Sequence, residues 1–476
     1  MNIKRSNIVF LMIISCSAIL FTSCNERLKE GTIVFTQVAG DLQDIDHITG
    51  NSWRYISESR IVALDPEKAG ASPKLLSEGF FSACAPQISY DAKQMLFAAQ
   101  KKQSELWQIW EMNLENYKIR QVTSSKENCI DPAYLPDGSL VFSKSIKNDT
   151  VKSGHALFTC NRDGSEIRQI TYNPHSYFAS TVLQDGRILA ISRQLYPDQK
   201  DGMFMVLRPD GTKQELFYQG IKESDLLSRG WETNNGKVIF IESDKSDQEG
   251  GNLISINYSR PLHSRVNLST DIKGKFCSIS PLQSGKLLAS YRSSNDKPFA
   301  LYEFDAENKV LGQTIYKDPN YNVLEAVAVE KHERPKKLPS EVDLDVKTGL
   351  LLCQDINFTE IKSMDKSSST SKAVKIEVMG IDASLGTVDV EEDGSFYIKV
   401  LADIPFRIKT IDQGGEVVNG PGSWMYLRPN ERRGCVGCHE DNEQVPENRQ
   451  LLSVQKDPIT IPVQSKEIHN KKVSLR

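Results

Sequence analysis

A short pattern repeats along most of this chain of 476 residues, and it constrains the fold more than any other feature. A turn residue, usually glycine, is followed by three or four apolar residues and then by a polar one. The copies begin at Gly31, Ala92, Gly138, Gly186, Gly236, Gly285 and Gly349. The four from Gly138 to Gly285 lie 48, 50 and 49 residues apart. Most copies are followed by two more strands around a turn such as Asp163-Gly164 or Asp210-Gly211, a pair typical of tight hairpins.

Two hairpins in each period of roughly 40–50 residues indicate the blade of a β-propeller. The sequence therefore predicts an all-β protein with a seven-bladed propeller over residues 24–360, in which wider spacings mark either insertions or a spurious copy. The dipeptides before three of the turns, among them Pro136-Asp137, resemble the repeats of TolB-like propellers. This resemblance concerns the fold, because propellers host many unrelated functions. The charged run 331–337 is interpreted as a solvated connector between blades.

Composition changes after the predicted ring. Residues 361–372 are rich in serine and lysine, have no apolar period and are interpreted as a linker. Residues 373–420 alternate between apolar and polar side chains, which predicts a small antiparallel, sandwich-like β domain with Asp393-Gly394 as a hairpin turn. Residues 421–476 are predicted to form an irregular segment and tail.

The first two dozen residues have the pattern of an export signal. Lys4 and Arg5 precede an apolar run, residues 8–21, that is too short for a confident transmembrane span. Residues 1–23 are therefore predicted to be a signal peptide, and its end resembles a bacterial lipobox with Cys24 as the acylated residue. Acyl chains on Cys24 would anchor the protein to a bacterial membrane. A plain secretory signal with an incidental cysteine is the alternative, and the net charge of −4 argues against a nucleic-acid partner.

One chemical motif stands near the C-terminus. Cys435, Cys438 and His439 form a C-x-x-C-H motif, in which the two thiols attach a haem covalently and the imidazole is the proximal iron ligand. The motif predicts one haem c, whose assembly in exported proteins agrees with the signal peptide. A zinc site is an alternative, but a fourth ligand and a second C-x-x-C motif are missing from the sequence. A redox dithiol is another, although such a pair needs a strand-to-helix setting and turn-like residues precede this motif.

The residues around this motif resemble a known family, the hydrazine synthase alpha subunit-related proteins. The resembling stretches are residues 107–113, 131–143, 175–193, 351–356, 392–418 and 423–449. The resemblance implies an exported propeller followed by a haem c module. It does not imply hydrazine synthesis, because the alpha subunit has two haem motifs and this chain has one. In that enzyme a tyrosine four residues past the motif histidine ligates the active-site iron and the histidine binds zinc. Glu443 stands at that position here, which again points to His439 as the proximal ligand.

The sequence leaves the distal iron ligand open. Four residues are candidates: Met425, His155, His175 and His469. The remaining cysteines lie in the predicted propeller. Cys84 and Cys129 precede the first strands of adjacent blades, where a disulfide is one option, and the other three are interpreted as small buried hydrophobes within strands, namely Cys160, Cys277 and Cys353.

These features predict a membrane-anchored, monohaem c-type electron carrier. Its propeller would dock an unidentified redox partner or small-molecule substrate. One alternative is a haem enzyme of the hydrazine synthase type that acts on small nitrogen compounds, and another is a non-redox binding lipoprotein. A six-coordinate haem favours the carrier, whereas an open coordination position favours the enzyme.

Overall fold

The structure is a computed structural model that describes residues 27–40, 42, 45–68, 70, 72–245, 250–295, 297–359, 371–437 and 448–462. The predicted signal peptide, Cys24, most of the predicted linker, Cys438, His439, Glu443 and His469 lie outside these residues. The described residues are all-β with one short 3₁₀-helix, as expected. They contain no helix of the length and apolar character that a membrane crossing needs.

Residues 27–328 form the ring. Its strands are β1 (Ile33–Ala39), β2 (Arg60–Leu64), β3 (Lys74–Leu75), β4 (Ser82–Ile88), β5 (Gln94–Gln100), β6 (Gln108–Asn113), β7 (Ile119–Gln121), β8 (Cys129–Tyr134), β9 (Leu140–Ile146), β10 (Gly154–Cys160), β11 (Arg168–Gln169), β12 (His175–Val182), β13 (Ile188–Gln194), β14 (Met203–Leu207), β15 (Glu215–Tyr218), β16 (Ser224–Leu226), β17 (Trp231–Glu232), β18 (Lys237–Asp244), β19 (Asn252–Asn257), β20 (Val266–Asn267), β21 (Lys275–Pro281), β22 (Leu287–Arg292), β23 (Ala300–Asp305), β24 (Val310–Tyr316) and β25 (Tyr321–Ala328).

These strands form six antiparallel sheets in the described part of the chain. Blade 1 has the order β25-β1-β2-β3, blades 2, 3 and 4 are β4–β7, β8–β11 and β12–β15, blade 5 is β16–β20, and blade 6 is β21–β24. The last strand closes the ring, because β25 pairs with β1 in the register Ile33↔Ala328 to Ala39↔Tyr321. This closure leaves no open end between the first and last blades.

The prediction of seven blades is wrong, since the seventh copy of the repeat lies outside the ring. Gly31, Gly138 and the other glycines of the ring copies have positive φ values, as a turn before a strand requires. Gly349 instead lies within a strand, where a Cβ would come 2.5 Å from the Cβ of Leu427. It is a close-packing glycine, which a sequence pattern does not distinguish from a turn glycine. The propeller consequently ends near residue 328 and not at 360.

The wide spacing after Gly31 does mark an insertion. Residues 40–59, here called the plug, connect β1 to β2 and enter the ring. The Nε1 of Trp53 donates a hydrogen bond of 2.6 Å to the carbonyl oxygen of Leu227 in blade 5. Arg54 pairs with Asp131 in blade 3. The plug therefore contacts several blades from the inside.

Residues 330–347 form a strap across one end of the ring. The amide of His332 donates to the Tyr90 carbonyl (2.9 Å), and the amide of Lys336 donates to the Gln184 carbonyl (3.1 Å). Tyr90 and Gln184 occupy equivalent turns, each between the first two strands of blades 2 and 4. The charged run is therefore a strap on the propeller and not the predicted connector between blades.

The strap leads into a second module of two four-stranded sheets. Its elements are β26 (Thr348–Cys353), β27 (Ala373–Met379), β28 (Ser384–Asp389), β29 (Phe396–Leu401), β30 (Arg407–Asp412), β31 (Val417–Asn419), β32 (Arg432–Cys435), the 3₁₀-helix Ser453–Gln455 and β33 (Ile459–Thr460). The sheet orders are β32-β26-β29-β33 and β28-β27-β30-β31, and the two sheets share one apolar core. The expected sandwich is present, but it extends over residues 348–462 and includes strands from the segment predicted to be irregular. It is also not purely antiparallel, because β32 and β33 pair in parallel with β26 and β29.

The turn at Asp393-Gly394 does not close a hairpin, contrary to the prediction. It joins β28 to β29, and these two strands belong to different sheets. A Cβ at Gly394 would lie 2.1 Å from an oxygen of Asp355. The glycine at this turn is therefore needed for the close approach to Asp355, which follows β26, the neighbour of β29 in the same sheet.

Candidate functional site

A cavity of about 930 Å³ lies between blade 4 and the sandwich. The propeller side is formed by strands β12, β14 and β15 and by the loop between β19 and β20 of blade 5. The sandwich side is formed by β26, β29, β30 and β32 together with the chain before β32. Lining residues with ligand or thiol chemistry are His175, His263, Met203, Met205, Cys353, Met425 and Cys435. Cys435, the first cysteine of the sequence motif, thus borders a cavity between the propeller and the sandwich.

The segment that precedes the motif, residues 424–433, fastens the sandwich to the propeller. The Nε1 of Trp424 donates a 2.7 Å hydrogen bond to the carbonyl oxygen of Tyr196. The hydroxyl of Tyr426, fully buried, lies 2.9 Å from the carbonyl oxygen of Ile170 and 3.1 Å from that of Gly211. These contacts place the start of the motif beside blade 4.

A buried carboxylate strengthens this attachment. Glu431 is 0% exposed and accepts hydrogen bonds from the amide of Lys213 (2.9 Å) and the amide of Arg428 (2.8 Å). It also lies 2.7 Å from the guanidinium of Arg433. A buried charge needs such partners, because an unpaired one costs several kcal/mol. Glu431 thereby links blade 4, the attaching segment and the strand of the motif.

Cys435 is the last residue of β32 and is half-buried. The strand pairs in parallel with β26, so that Cys435 lies in register with Cys353, and both residues line the cavity. Gly437 follows in a tight position, where a Cβ would come 2.1 Å from the carbonyl oxygen of Phe358. The chain beyond Cys435 can therefore turn against the sandwich only with glycine at 437. No cluster of three metal-ligating side chains occurs among the described residues, and Cys438 and His439 are not among them.

His175 also borders the cavity, although it stands far from the motif in sequence. Its Nδ1 lies 2.9 Å from the hydroxyl of Ser192, whereas its Nε2 is buried without a hydrogen-bond partner. Burial lowers the pKa of His175 to about 3, so the imidazole is neutral near pH 7. Met425 is a second lining residue from the candidates for distal ligand.

His155 has a different environment and is not among the lining residues of the cavity. Its Nε2 lies 2.5 Å from the hydroxyl of Tyr55 and 3.1 Å from that of Ser145, so it belongs to a polar cluster with the plug. Burial lowers the pKa of His155 to about 4. The structure thus brings His175 and Met425, but not His155, to the cavity that Cys435 borders.

The charged side chains that line the cavity are Lys200, Lys213, Arg433 and Glu215 among the described lining residues. Two of the cations already have carboxylate partners outside the lining, because Arg433 lies 2.7 Å from Glu431 and Lys213 lies 3.5 Å from Glu341. Apolar side chains cover the rest of the walls, among them Leu351 and Phe396.

The sequence did not predict an ionic cluster inside the ring. Asp131 is 1% exposed and pairs with Arg54, and Arg229 lies 3.0 Å from the same carboxylate. Glu325 lies 2.7 Å from Arg54 on its other side. Burial alone would raise the pKa of Asp131, but the two guanidinium groups hold it below its ordinary value. The sequence signal that could have indicated this cluster is an acidic residue in the first strand of a blade, because that position points to the ring interior.

The cysteines of the ring are mostly buried, as predicted. Cys84 and Cys129 are both buried free thiols, so the structure has no disulfide between them. Burial raises the pKa of Cys129 to about 11, which keeps it a thiol. Cys160 lies buried in β10 and Cys277 is partly buried in β21. Cys353 is also buried in a strand, but in β26 of the sandwich and not in the propeller as predicted.

Comparison with known proteins identifies relatives of the chain. The model of the hydrazine synthase alpha subunit middle domain matches residues 351–440. Hydrazine synthase subunit alpha of Kuenenia stuttgartiensis is 24% identical over 514 residues, which cover 81% of this chain and 63% of that protein. The chain thus spans less than two thirds of this relative. The protein is a distant relative of the hydrazine synthase alpha subunit.

Solved structures show a similar fold. The structure of Kuenenia stuttgartiensis hydrazine synthase matches with a TM-score of 0.77 and 20% identity over 90% of this chain and 72% of that one. TolB from Acinetobacter baumannii matches with a TM-score of 0.45 and 14% identity over 64% of this chain and 67% of that one. The hydrazine synthase match supports the arrangement of a propeller followed by a β module.

Proposed function

We propose that this protein is an exported haem c protein that transfers electrons, with the haem held in the cavity between blade 4 and the sandwich. The observation that carries the proposal is that Cys435, the first cysteine of the C-x-x-C-H motif, borders a cavity of about 930 Å³. This volume lies at the upper end of the range for cofactor sites, about 300–1,000 Å³. Cys435 and Cys438 would attach the haem, and His439 would bind the iron.

The lining of the cavity suits both the apolar macrocycle and the charged propionates of a haem. Apolar residues such as Leu351 and Phe396 would pack on the macrocycle and exclude water. Lys200 would pair with a propionate and balance part of its negative charge. A bound haem supplies a one-electron couple, and the propeller supplies a broad surface on which a redox partner or substrate can dock.

Covalent haem attachment is the decisive test. The protein is expressed with cytochrome c maturation machinery, and haem is measured by pyridine haemochrome spectra and by its resistance to acid acetone. Wild-type protein is expected to carry one covalent haem, and a Cys435→Ala/Cys438→Ala variant none. The matched control is Cys353→Ala, which changes a cysteine of the same cavity outside the motif and should retain the haem. Wild-type protein without covalent haem would refute the proposal.

A haem enzyme that acts on small nitrogen compounds is the second candidate. It is favoured by the distant relationship to the hydrazine synthase alpha subunit, whose middle-domain model covers the C-x-x-C-H motif. Enzymatic use needs an open iron coordination position, and transfer of electrons does not. A spectrum of the ferric protein that changes on addition of hydroxylamine or nitric oxide would support the enzyme. An unchanged spectrum would support the carrier.

The membrane anchor is a separate proposal from the sequence. Cys24 would carry the acyl chains that hold the exported protein on the periplasmic or cell-surface side of a bacterial membrane. Mass spectrometry of protein extracted from membranes should detect an acylated N-terminal Cys24, and Cys24→Ser should release the protein into the soluble exported fraction. An intact residue 24 without lipid in the mature protein would contradict this proposal.

A further inference from the structure

Two cysteines of the cavity lie side by side on neighbouring strands of the sandwich. Cys353 ends β26 and Cys435 ends β32, and the parallel register pairs these two residues directly. The residues two positions earlier, Leu351 and Arg433, are also paired, and all four border the cavity. Because side chains alternate between the two faces of a strand, Cys353 and Cys435 lie on the same face of the sheet. Their thiols are therefore neighbours on the cavity side.

The spacing of neighbouring strands suits a disulfide between these thiols. Paired strands lie about 4.7–4.9 Å apart, and the Cα atoms of a disulfide are usually about 4.4–6.8 Å apart. Both residues are thiols in this structure. The other described cysteines have no cysteine as a register partner, namely Cys84, Cys129, Cys160 and Cys277. Strand pairing thus holds one pair of described cysteines together.

The two thiols differ in exposure, which sets the order of their reactions. Cys353 is 2% exposed and belongs to the apolar core of the sandwich, whereas Cys435 is partly exposed at the cavity. A disulfide oxidant in the cavity therefore meets Cys435 first. The Cys435 thiolate breaks the S–S bond of the oxidant and releases one thiol, and Cys353 then attacks the Cys435 sulfur and releases the second. The two leaving thiols carry away the two electrons and the two protons of the cysteines.

We propose that Cys353 and Cys435 form a reversible disulfide, and that this disulfide withholds the first motif cysteine from haem attachment. The inference rests on the haem proposed above, because a thioether forms only when the Cys435 sulfur is available as a thiol. Export would bring the chain into an oxidising compartment, where disulfides form. A dithiol reductant reverses the exchange and restores both thiols. Haem attachment is then under redox control through a cysteine outside the C-x-x-C-H motif.

Thiol mapping of the full-length, haem-free protein tests the disulfide. The protein is equilibrated in mixtures of reduced and oxidised glutathione, its thiols are alkylated, and its proteolytic peptides are analysed by mass spectrometry. A peptide that links residues 353 and 435 is expected under oxidising conditions and should disappear with dithiothreitol. Cys277→Ala, which changes a partly buried cysteine of the ring, is the matched control and should give the same linked peptide. Alkylation of both residues under all conditions, or a link from Cys435 to a different cysteine, overturns the inference.

Haem loading tests the consequence of the disulfide. The protein is produced with cytochrome c maturation machinery, with and without added oxidised glutathione, and covalent haem is measured. Wild type and Cys277→Ala should lose covalent haem when the oxidant is present, whereas Cys353→Ala should retain it. Equal loss in wild type and Cys353→Ala overturns the withholding role.

The outcomes separate this inference from the proposed function. A linked peptide without covalent haem under any condition overturns the haem proposal and the withholding role with it, but leaves the disulfide assigned. Covalent haem without a linked peptide overturns the disulfide and leaves the haem proposal supported. If Cys353→Ala does not fold, wild type decides, because covalent haem that does not fall as the linked fraction rises overturns the withholding role.

Discussion

The ionic cluster inside the ring gives the sharpest prediction on stability, through the substitution Asp131→Asn. The carboxylate of Asp131 accepts hydrogen bonds from Nε of Arg54 (2.8 Å), from Nη2 of Arg229 (3.0 Å) and from the amide of Ala179 (2.8 Å). Glu325 supplies the second negative charge, so two cations face two anions. The substitution removes one anion and leaves two buried guanidinium groups with a single carboxylate.

The expected loss in the free energy of unfolding follows from the burial of the charged groups and not from the distances between them. Breaking a buried ion pair by neutralising one partner costs about 3–5 kcal/mol, because the remaining charge stays out of water. Two cations depend on Asp131, which is 1% exposed, so we expect a value in the upper half of that range. Residue 131 has a φ of 53°, a conformation that asparagine adopts readily, so backbone strain adds little. Since domains are stable by about 5–15 kcal/mol, this loss is a large fraction of the total.

Urea unfolding followed by tryptophan fluorescence measures the effect. The matched control is Asp201→Asn, the same change at an ion pair of the same kind, where exposed Asp201 lies 2.7 Å from Lys245. Exposed pairs contribute about 0–1 kcal/mol, so the control should lie close to wild type. A loss below about 1 kcal/mol for Asp131→Asn, or one equal to that of the control, would refute the reasoning that the cluster is a buried, mutually dependent network.

Three further predictions follow from the described contacts. Burial lowers the pKa values of His47 and His155 to about 4, so the unfolded chain takes up protons first as the pH falls. Stability should decrease from about pH 6.5 towards pH 4 by up to about 1.4 kcal/mol per pH unit for each histidine, and urea midpoints independent of pH would contradict this. Tyr426→Phe removes the hydroxyl that donates to blade 4 and should cost about 1–3 kcal/mol and speed proteolysis of the attaching segment, residues 424–433; an unchanged cleavage rate would count against this role. Gly437→Ala should reduce the yield of haem-loaded protein by mass spectrometry, because its Cβ would lie 2.1 Å from a carbonyl oxygen. Gly434→Ala, whose Cβ would meet nothing within 4 Å, is the control and should load normally; equal yields would contradict the steric argument.

Local pattern was sufficient to predict the blades. A positive-φ turn followed by an apolar strand is encoded within a few residues, so the copies from Gly31 to Gly285 were correctly assigned to ring strands. The same pattern gave a wrong prediction at Gly349, because the sequence does not distinguish a glycine that packs closely against Leu427 from a glycine that forms a turn. The hairpin expected at Asp393-Gly394 failed for a related reason, since strand pairing is decided by the partner and not by the turn alone.

The sequence by itself predicted the all-β architecture and contains the C-x-x-C-H motif on which the haem proposal rests, because periodicity and motif spacing are local properties of the chain. Only the tertiary structure decided the number of blades, the limits of the sandwich and the walls of the cavity. His175 and Cys435 are distant in the chain, and they border one cavity because the segment 424–433 attaches the sandwich to blade 4. Hydrogen bonding at the two ring nitrogens of His175 likewise depends on neighbours that packing supplies. Such long-range contacts have no local signal in a single sequence.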